Sequence, residues 1–251
     1  MKNRKQLPAF GVLQNFKIDL DRLKLYLDQN GLLEFSNYDH IKLDKATSFK
    51  GFVIANEYLL NNMFKGEDEP ENNSEKFKQI QLTEFDQSQS KGEVVAKPTS
   101  FMERVRRQNP NHPNYVPEAA ELNYGKRTSL VSGELEKIFD LFTSKITRGR
   151  LAFLAAGHAI KAHVDYDTTL VCRYHIPIIT NEDVIFYVQR KNIVYEYNMP
   201  ANGQIYFFNQ GLKHWVKNNG NAPRLHLIID VHGQNEIEFM TPLEVKQTIV
   251  N

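Results

Sequence analysis

One cysteine, Cys172, is present in 251 residues. An intramolecular disulfide is therefore impossible, and a cysteine-based zinc site is excluded. A dominant charge is missing too. The chain has 31 basic and 30 acidic side chains for a net charge of +1, so composition gives no reason to expect a polyanion, and no nucleic-acid partner is expected. Long hydrophobic runs are also lacking. The basic, polar start from Met1 to Gln6 leads into no apolar stretch. Neither a signal peptide nor a transmembrane span is expected, and no membrane partner. The expected location is cytoplasmic and reducing. No internal repeat is visible. With 41% hydrophobic and 24% charged residues, the composition is that of a globular protein, long enough for one large domain or two small ones.

The two parts of the chain differ in pattern. Residues 1–147 mix short apolar runs with polar stretches. Leu20, Leu23 and Leu27 share a helical face, with Asp19 placed to cap and Gly31 to terminate. Leu135, Ile138, Phe139 and Phe142 form a second helical stripe, with Ser132 as its N-cap and Glu134 in its first turn. Between these helices, residues 66–74 and 86–97 have loop compositions. Residues 108–117 (QNPNHPNYVP) are broken by three prolines and cannot form a regular helix. Long loops of this kind are either lids or disordered segments, and the pattern leaves both open.

From Arg148 onward the pattern turns to strands. Residues 151–155, 170–178, 184–188, 193–197, 204–208, 214–217 and 224–231 are short β-branched or aromatic runs. Turn signals separate them at Ala201-Asn202-Gly203, Asn209-Gln210-Gly211 and Asn218-Asn219-Gly220. About seven closely spaced strands with no intervening helix predict an antiparallel sandwich or barrel. The expected organisation is one structural domain. Residues 1–147 form an N-terminal mixed α/β elaboration carrying a substrate lid, residues 148–232 a β core, and residues 233–251 a C-terminal tail.

Six of the eight histidines (158, 163, 175, 214, 226 and 232) lie in the strand-rich part. His163 and Asp165 stand two residues apart, a spacing that on a strand projects both side chains from one face. His214 opens a later strand and supplies a third ligand. Two histidines and a carboxylate make a facial triad with open cis positions for a bidentate 2-oxo acid and dioxygen, the arrangement that iron(II) oxygenase chemistry needs. With eight histidines and 30 acids, roughly one His-x-acid pair arises by chance, so this pair needs support from other positions. Arg224 follows His214 by ten residues. Strand parity puts Arg224 and His226 on one face and Leu225, Leu227 and Ile229 on the other. An arginine inside a barrel is costly unless it meets an anion. A dicarboxylate reaching in from the metal would satisfy it, and so would a structural acid such as Asp230. Arg173 and His175 repeat the polar i, i+2 pattern in an otherwise buried run. One satisfied buried histidine and one arginine at the sheet rim is the commoner fate of such a pair.

Four segments together resemble the aspartyl/asparaginyl β-hydroxylase family of iron(II)- and 2-oxoglutarate-dependent oxygenases, which includes bacterial proline hydroxylases. They are His163-x-Asp165, Arg173-Tyr174-His175-Ile176-Pro177-Ile178, His214-Trp215-Val216-Lys217-Asn218 and Arg224-Leu225-His226-Leu227-Ile228-Ile229-Asp230. The last two look like the family's H-x-V-x-N and R-x-x-L-I-x-D signatures, and Gly157 sits where the family tends to have a glycine. The resemblance covers residues 150–232. It implies a mainly β fold with flanking α, built on a double-stranded β-helix (a jelly-roll or cupin-like core). It implies metal ligands at His163, Asp165 and His214, the distal carboxylate of 2-oxoglutarate at Arg224, and help in holding the cosubstrate from Arg173 and His175. Fe(II), 2-oxoglutarate and O2 are the cofactors implied, with succinate and carbon dioxide formed as an unactivated C–H bond is hydroxylated. No catalytic residue is implied beyond the metal ligands. Ala152 departs from the family, standing where some members carry a serine near the cosubstrate. Asp165 is retained, as in the proline hydroxylases, whereas some members that act on protein side chains lack that carboxylate. Its presence also argues against halogenation, because halogenases of this mechanistic type replace it with a small residue.

Residues 1–147 carry no further motif. Arg104, Arg106 and Arg107 cluster before the proline-rich loop. Arg106 and Arg107 are candidates for holding a substrate carboxylate, although a solvated basic surface is the commoner outcome. Trp215 should face away from His214 and pack in the core. The near-neutral charge fits a free amino acid or similar small molecule as substrate; an Asp, Asn or other side chain in a protein or peptide is the alternative. A non-catalytic cupin-like binding protein and a zinc-dependent hydrolase are the competing classes. A hydrolase needs no buried arginine ten residues past its last ligand, and a binder needs no open metal face.

Overall fold

A computed structural model describes residues 1–3, 5–34, 77–84, 86 and 124–250. Fourteen strands and two α-helices are found among them. In chain order they are β1 (Phe10–Lys17), α1 (Leu20–Gln29), β2 (Phe77–Gln81), β3 (Thr83–Glu84), β4 (Lys126–Arg127), α2 (Gly133–Phe139), β5 (Lys145–Leu154), β6 (Ala159–His163) and β7 (Cys172–Ile179). There follow β8 (Val184–Arg190), β9 (Ile193–Tyr197), β10 (Gln204–Phe208), β11 (Lys213–Asn218), β12 (Arg224–His232), β13 (Met240–Pro242) and β14 (Lys246–Ile249).

The strands β5 to β12 form two facing antiparallel sheets. One has the order β10-β7-β12-β5 and the other β9-β8-β11-β6. The chain crosses between sheets at nearly every step, which is the connectivity of a double-stranded β-helix. Additional strands widen it. The first sheet gains β13 and β1 at one edge and β2 at the other; the second gains β14. The C-terminal segment contributes an edge strand to each sheet, because β13 pairs with β1 and β14 with β9.

Strand parity divides the core into two layers. On β12 the set Leu225, Leu227, Ile229 and Val231 packs outward with Tyr174, Ile176 and Ile178 of β7. Helices α1 and α2 cover that face through Leu23, Leu27, Leu135, Ile138 and Phe139. The other parity faces the second sheet, where Leu154, Val184, Phe186, Val188, Tyr206, Phe208 and Val216 make the apolar part of the interior. Arg224, His226 and Asp230 lie on this inner parity, and each is at most 1% exposed.

Helix α1 has the predicted cap, since the Asp19 carboxylate accepts from Arg22 N–H at 3.0 Å. The second helix differs from expectation. It stops at Phe139, and Ser132 makes no side-chain cap bond. Its hydroxyl instead meets the Tyr26 hydroxyl of α1 at 2.7 Å, tying the two helices together. Phe142 is buried all the same, in the turn that follows. Trp215 does face away from His214, but it is only half-buried and stacks on Tyr187 at 5.0 Å, outside the core.

Two sequence signals acquire a physical reason. Asn218, in the H-x-V-x-N segment, is fully buried. Its amide donates to the Ala155 and Ala222 carbonyls (3.0 and 2.9 Å), and its oxygen accepts from Gly220 N–H. It therefore pins the turns on either side of the site's strands. Gly203 has φ +82, and a Cβ there would lie 2.2 Å from the Ile18 carbonyl oxygen. No helix among the described residues is long and apolar enough to cross a membrane. The segments 66–74, 87–97 and 108–117, and with them Arg104, Arg106 and Arg107, lie outside the described residues.

Gly203→Ala combines a left-handed backbone with a main-chain clash, and should cost at least about 1–3 kcal/mol of stability. Denaturant unfolding measures this, and an unchanged midpoint would contradict the close approach of Ile18.

Candidate metal centre

His163 ends β6, and His214 stands directly opposite it on β11 in the antiparallel register. The two rings are therefore cross-strand neighbours, with centroids 4.1 Å apart. Asp165 reaches the same point by a different route from the one parity predicts. Strand β6 stops at His163, and Asp165 sits in the following loop, where its N–H donates to the Gln210 carbonyl at 3.0 Å. Asp165 Oδ1 lies 3.8 Å from His163 Nε2, and Oδ2 lies 3.8 Å from His214 Nε2. Ligand atoms from the three residues fall within 4.8 Å of one another, the one such cluster among the described residues.

The chemistry of the donors suits a metal ion. His163 Nδ1–H donates to the Lys161 carbonyl (2.7 Å) and His214 Nδ1–H to the Leu212 carbonyl (2.9 Å). Each bond fixes the tautomer that leaves the Nε2 lone pair free toward the shared point. Burial pushes His214 down to about 3, so its ring is neutral and available as a ligand. Asp165 is ionised: burial opposes the charge, but the Arg173 guanidinium outweighs it and holds the carboxyl well below its usual range.

Asp165 belongs to a buried ionic chain. Arg173 Nη1 donates to Asp165 Oδ2 at 2.5 Å, while its Nε and Nη2 donate to Asp230 Oδ1 and Oδ2 at 2.7 and 3.0 Å. Arg150 Nη1 closes the chain on Asp230 Oδ2 at 2.9 Å. Three of the five N–H groups of Arg173 are thus engaged with carboxylates, and its geometry positions Asp165. Sequence reasoning names Asp230 as a possible partner of Arg224. The structure gives Asp230 to Arg150 and Arg173 instead.

Arg224 opens β12 at 1% exposure. Among the described residues it has no acidic partner. Its one side-chain hydrogen bond among them is a long one, from Nη2 to the Ala152 carbonyl at 3.4 Å, and Nε has no partner. The guanidinium lies over the Phe186 ring, 5.6 Å from the centroid. Burial first, and repulsion from Arg150 second, push its pKa down to about 9, so it keeps its proton at neutral pH. His175 lies deeper in the same interior, packed edge-on against Phe186 and Phe208, both at 5.3 Å. Phe208 in turn meets the His214 ring at 4.9 Å. A continuous wall of aromatic and imidazole rings therefore links the ligand cluster to Arg224.

Sequence reasoning misses Arg150 and Gln210. Arg150 shares inner parity with Ala152 and Leu154, a signal of the same kind as that for Arg224. Gln210 is fully buried, and its amide donates to the Val171 carbonyl and, at 3.5 Å, to that of Tyr166. With its backbone carbonyl on Asp165 it braces the ligand loop. It lay hidden in a turn signal.

The aspartyl/asparaginyl β-hydroxylase family matches residues 68–233 of the chain. No curated protein sequence matches it. Among solved structures, an oxidoreductase of the 2OG-Fe(II) oxygenase family from Burkholderia pseudomallei is similar at 13% identity and a TM-score of 0.35, over 79% of this chain and 90% of that one. A prolyl-4-hydroxylase from Pseudomonas putida shares 11% identity at a TM-score of 0.32, over 74% and 87%. Oxalate decarboxylase from Bacillus subtilis shares 13% identity at 0.27, over 46% and 35%.

Removing Asp230 would leave buried Arg150 without its carboxylate and take two of the three carboxylate bonds from Arg173, so Asp230→Ala should cost roughly 3–5 kcal/mol. The same pairing makes stability acid-sensitive. Asp230 is held well below the usual carboxylate range by Arg150 and Arg173 against the opposing effect of burial. Its contribution is full above about pH 4 and is lost as pH falls further. Unfolding followed from pH 7 to pH 2 should show a steeper acid loss in the native protein than in the Asp230→Ala variant; parallel curves would contradict the pairing.

Proposed function

Because the chain belongs to the aspartyl/asparaginyl β-hydroxylase family, we propose that it is an iron(II)- and 2-oxoglutarate-dependent oxygenase. It hydroxylates an unactivated C–H bond in a free amino acid or similar small molecule. The observation that carries this reading is the buried Arg224, without an acidic partner among the described residues, sharing one interior with two imidazoles and a carboxylate. A hydrolase or a simple metal-binding protein has no use for that cation, whereas a 2-oxo dicarboxylate satisfies both ends.

In this reading His163 Nε2, His214 Nε2 and one Asp165 oxygen hold the metal. Bound iron would supply dioxygen activation coupled to oxidative decarboxylation of the 2-oxo acid. The protein's own part is to bind, orient and exclude water. Arg173 takes one Asp165 oxygen and so leaves the other for the metal. Arg224 fixes the distal carboxylate in a pocket where a charge-assisted pair is strong because it is dry. Phe186 and Phe208 wall the space between the two ends and keep bulk water from it. The near-neutral charge of the chain supports a small substrate over an extended acidic or basic protein partner.

Asp165→Ala should abolish turnover with the fold intact, because Arg173 keeps both bonds to Asp230. Wild-type activity in that variant would remove Asp165 from the mechanism. Arg224→Ala should raise the 2-oxoglutarate KM by about tenfold or more, and an unchanged KM would defeat its assignment. The substrate class is tested by succinate formation from 2-oxoglutarate with iron(II), ascorbate and air across a panel of free amino acids that includes proline. Stimulation by one of them is the expected result. Slow succinate with none of them stimulating points to a peptide or protein side chain.

A further inference from the structure

Two buried imidazoles in the inner layer take no part in the ligand cluster. His175 on β7 and His226 on β12 sit on adjacent strands, their Nδ1 atoms 3.2 Å apart. Each has an Nε2 that is buried and without a partner, as does Arg224 at Nε. A buried polar atom left alone costs about 1–3 kcal/mol. Three of them in one interior mark a space that a polar ligand completes.

One proton lies between the two Nδ1 atoms, so one ring donates and the other accepts. The donating ring is left with a bare Nε2, and the accepting ring carries its proton on Nε2. Both rings are neutral: burial, reinforced by the charge of Arg224, holds each well below the imidazole range. An anion held at Arg224 needs an N–H rather than a lone pair from the ring beside it, and the ring placed between the ligand cluster and Arg224 is His175. The bare Nε2 then belongs to His226. His175 occupies the middle of the interior. It packs on Phe208, which meets His214, and on Phe186, which underlies Arg224.

Resting on the oxygenase reading above, we propose that His226 is a positioning residue for the cosubstrate. Its Nδ1–H donates to His175 Nδ1 and fixes His175 as the tautomer protonated at Nε2. That Nε2–H then joins Arg224 in holding the anionic 2-oxo acid. Directly opposite His226 on β5 stands Ala152, which offers no side-chain donor.

The test is anaerobic calorimetric titration of 2-oxoglutarate into the iron(II)-loaded protein, with nitrogen-15 NMR of the histidine-labelled, metal-free protein as a second readout. His226→Phe keeps the ring volume and removes the donor, while His226→Asn restores an N–H near Nδ1. The expected result is roughly tenfold weaker 2-oxoglutarate binding in His226→Phe, with most of the affinity recovered in His226→Asn and iron affinity unchanged in both. The NMR spectrum of the native protein should show His175 protonated at Nε2. Native-like binding in His226→Phe, or His175 protonated at Nδ1, overturns the proposal. If His226→Phe does not fold, the His226→Asn affinity and the native spectrum decide it. Native protein that binds no 2-oxoglutarate would defeat the oxygenase reading instead, and the nitrogen signature then judges the hydrogen bond alone.

Discussion

A single fully buried carboxylate, Asp230, holds the centre of the molecule together. It accepts from Arg150 on one neighbouring strand and from Arg173 on the other. Three strands of the first sheet are thereby cross-linked in the interior, beyond their backbone ladders. The same arginine that satisfies Asp230 reaches Asp165. Buried ion pairs are weak sources of net stability, because desolvation offsets much of the attraction. What this chain provides is placement, since an Asp165 held from behind cannot rotate away from the two imidazoles.

Charge is distributed unevenly along the interior. At the metal end, the ionic chain runs Arg150, Asp230, Arg173, Asp165, and every charge in it has an opposite neighbour. At the other end Arg224 has none among the described residues. Between them lie Phe186, Phe208, His175 and His226, neutral groups that exclude water without supplying a counter-charge. An interior built this way is incomplete as it stands and becomes balanced when an anion bridges the ends. In the proposed reading the fold shapes both ends of one small molecule's site before that molecule arrives.

Much of this was legible in the sequence where local pattern and tertiary role agree. Strands β9 and β10 match their predicted limits residue for residue, because alternation and the Ala201-Asn202-Gly203 turn bound them. Parity on β12 separated the polar inner residues from the apolar outer ones for the same reason. Other features depend on distant chain. The β6 segment, Ala-Ile-Lys-Ala-His, has no alternation, and it pairs with β11 some fifty residues on. Edge strands β13 and β14 carry little apolar signal of their own. Parity placed Arg224 on the inner face but not which acid it or Arg173 would meet; Asp230 lies 57 residues from Arg173 and only six from Arg224, yet pairs with the former. The i, i+2 argument for His163 and Asp165 chose the right pair on an incomplete premise, since the loop braced by Gln210, rather than strand pleat, delivers Asp165.

The central claim is that one interior binds iron at His163, Asp165 and His214 and an anion at Arg224. The most direct measurement is an anaerobic crystal structure of the protein with iron(II) and 2-oxoglutarate. The account predicts metal bonded to both Nε2 atoms and one Asp165 oxygen, with the distal carboxylate of 2-oxoglutarate on the Arg224 guanidinium. Metal bound elsewhere, or 2-oxoglutarate bound with Arg224 still unpaired, would contradict it.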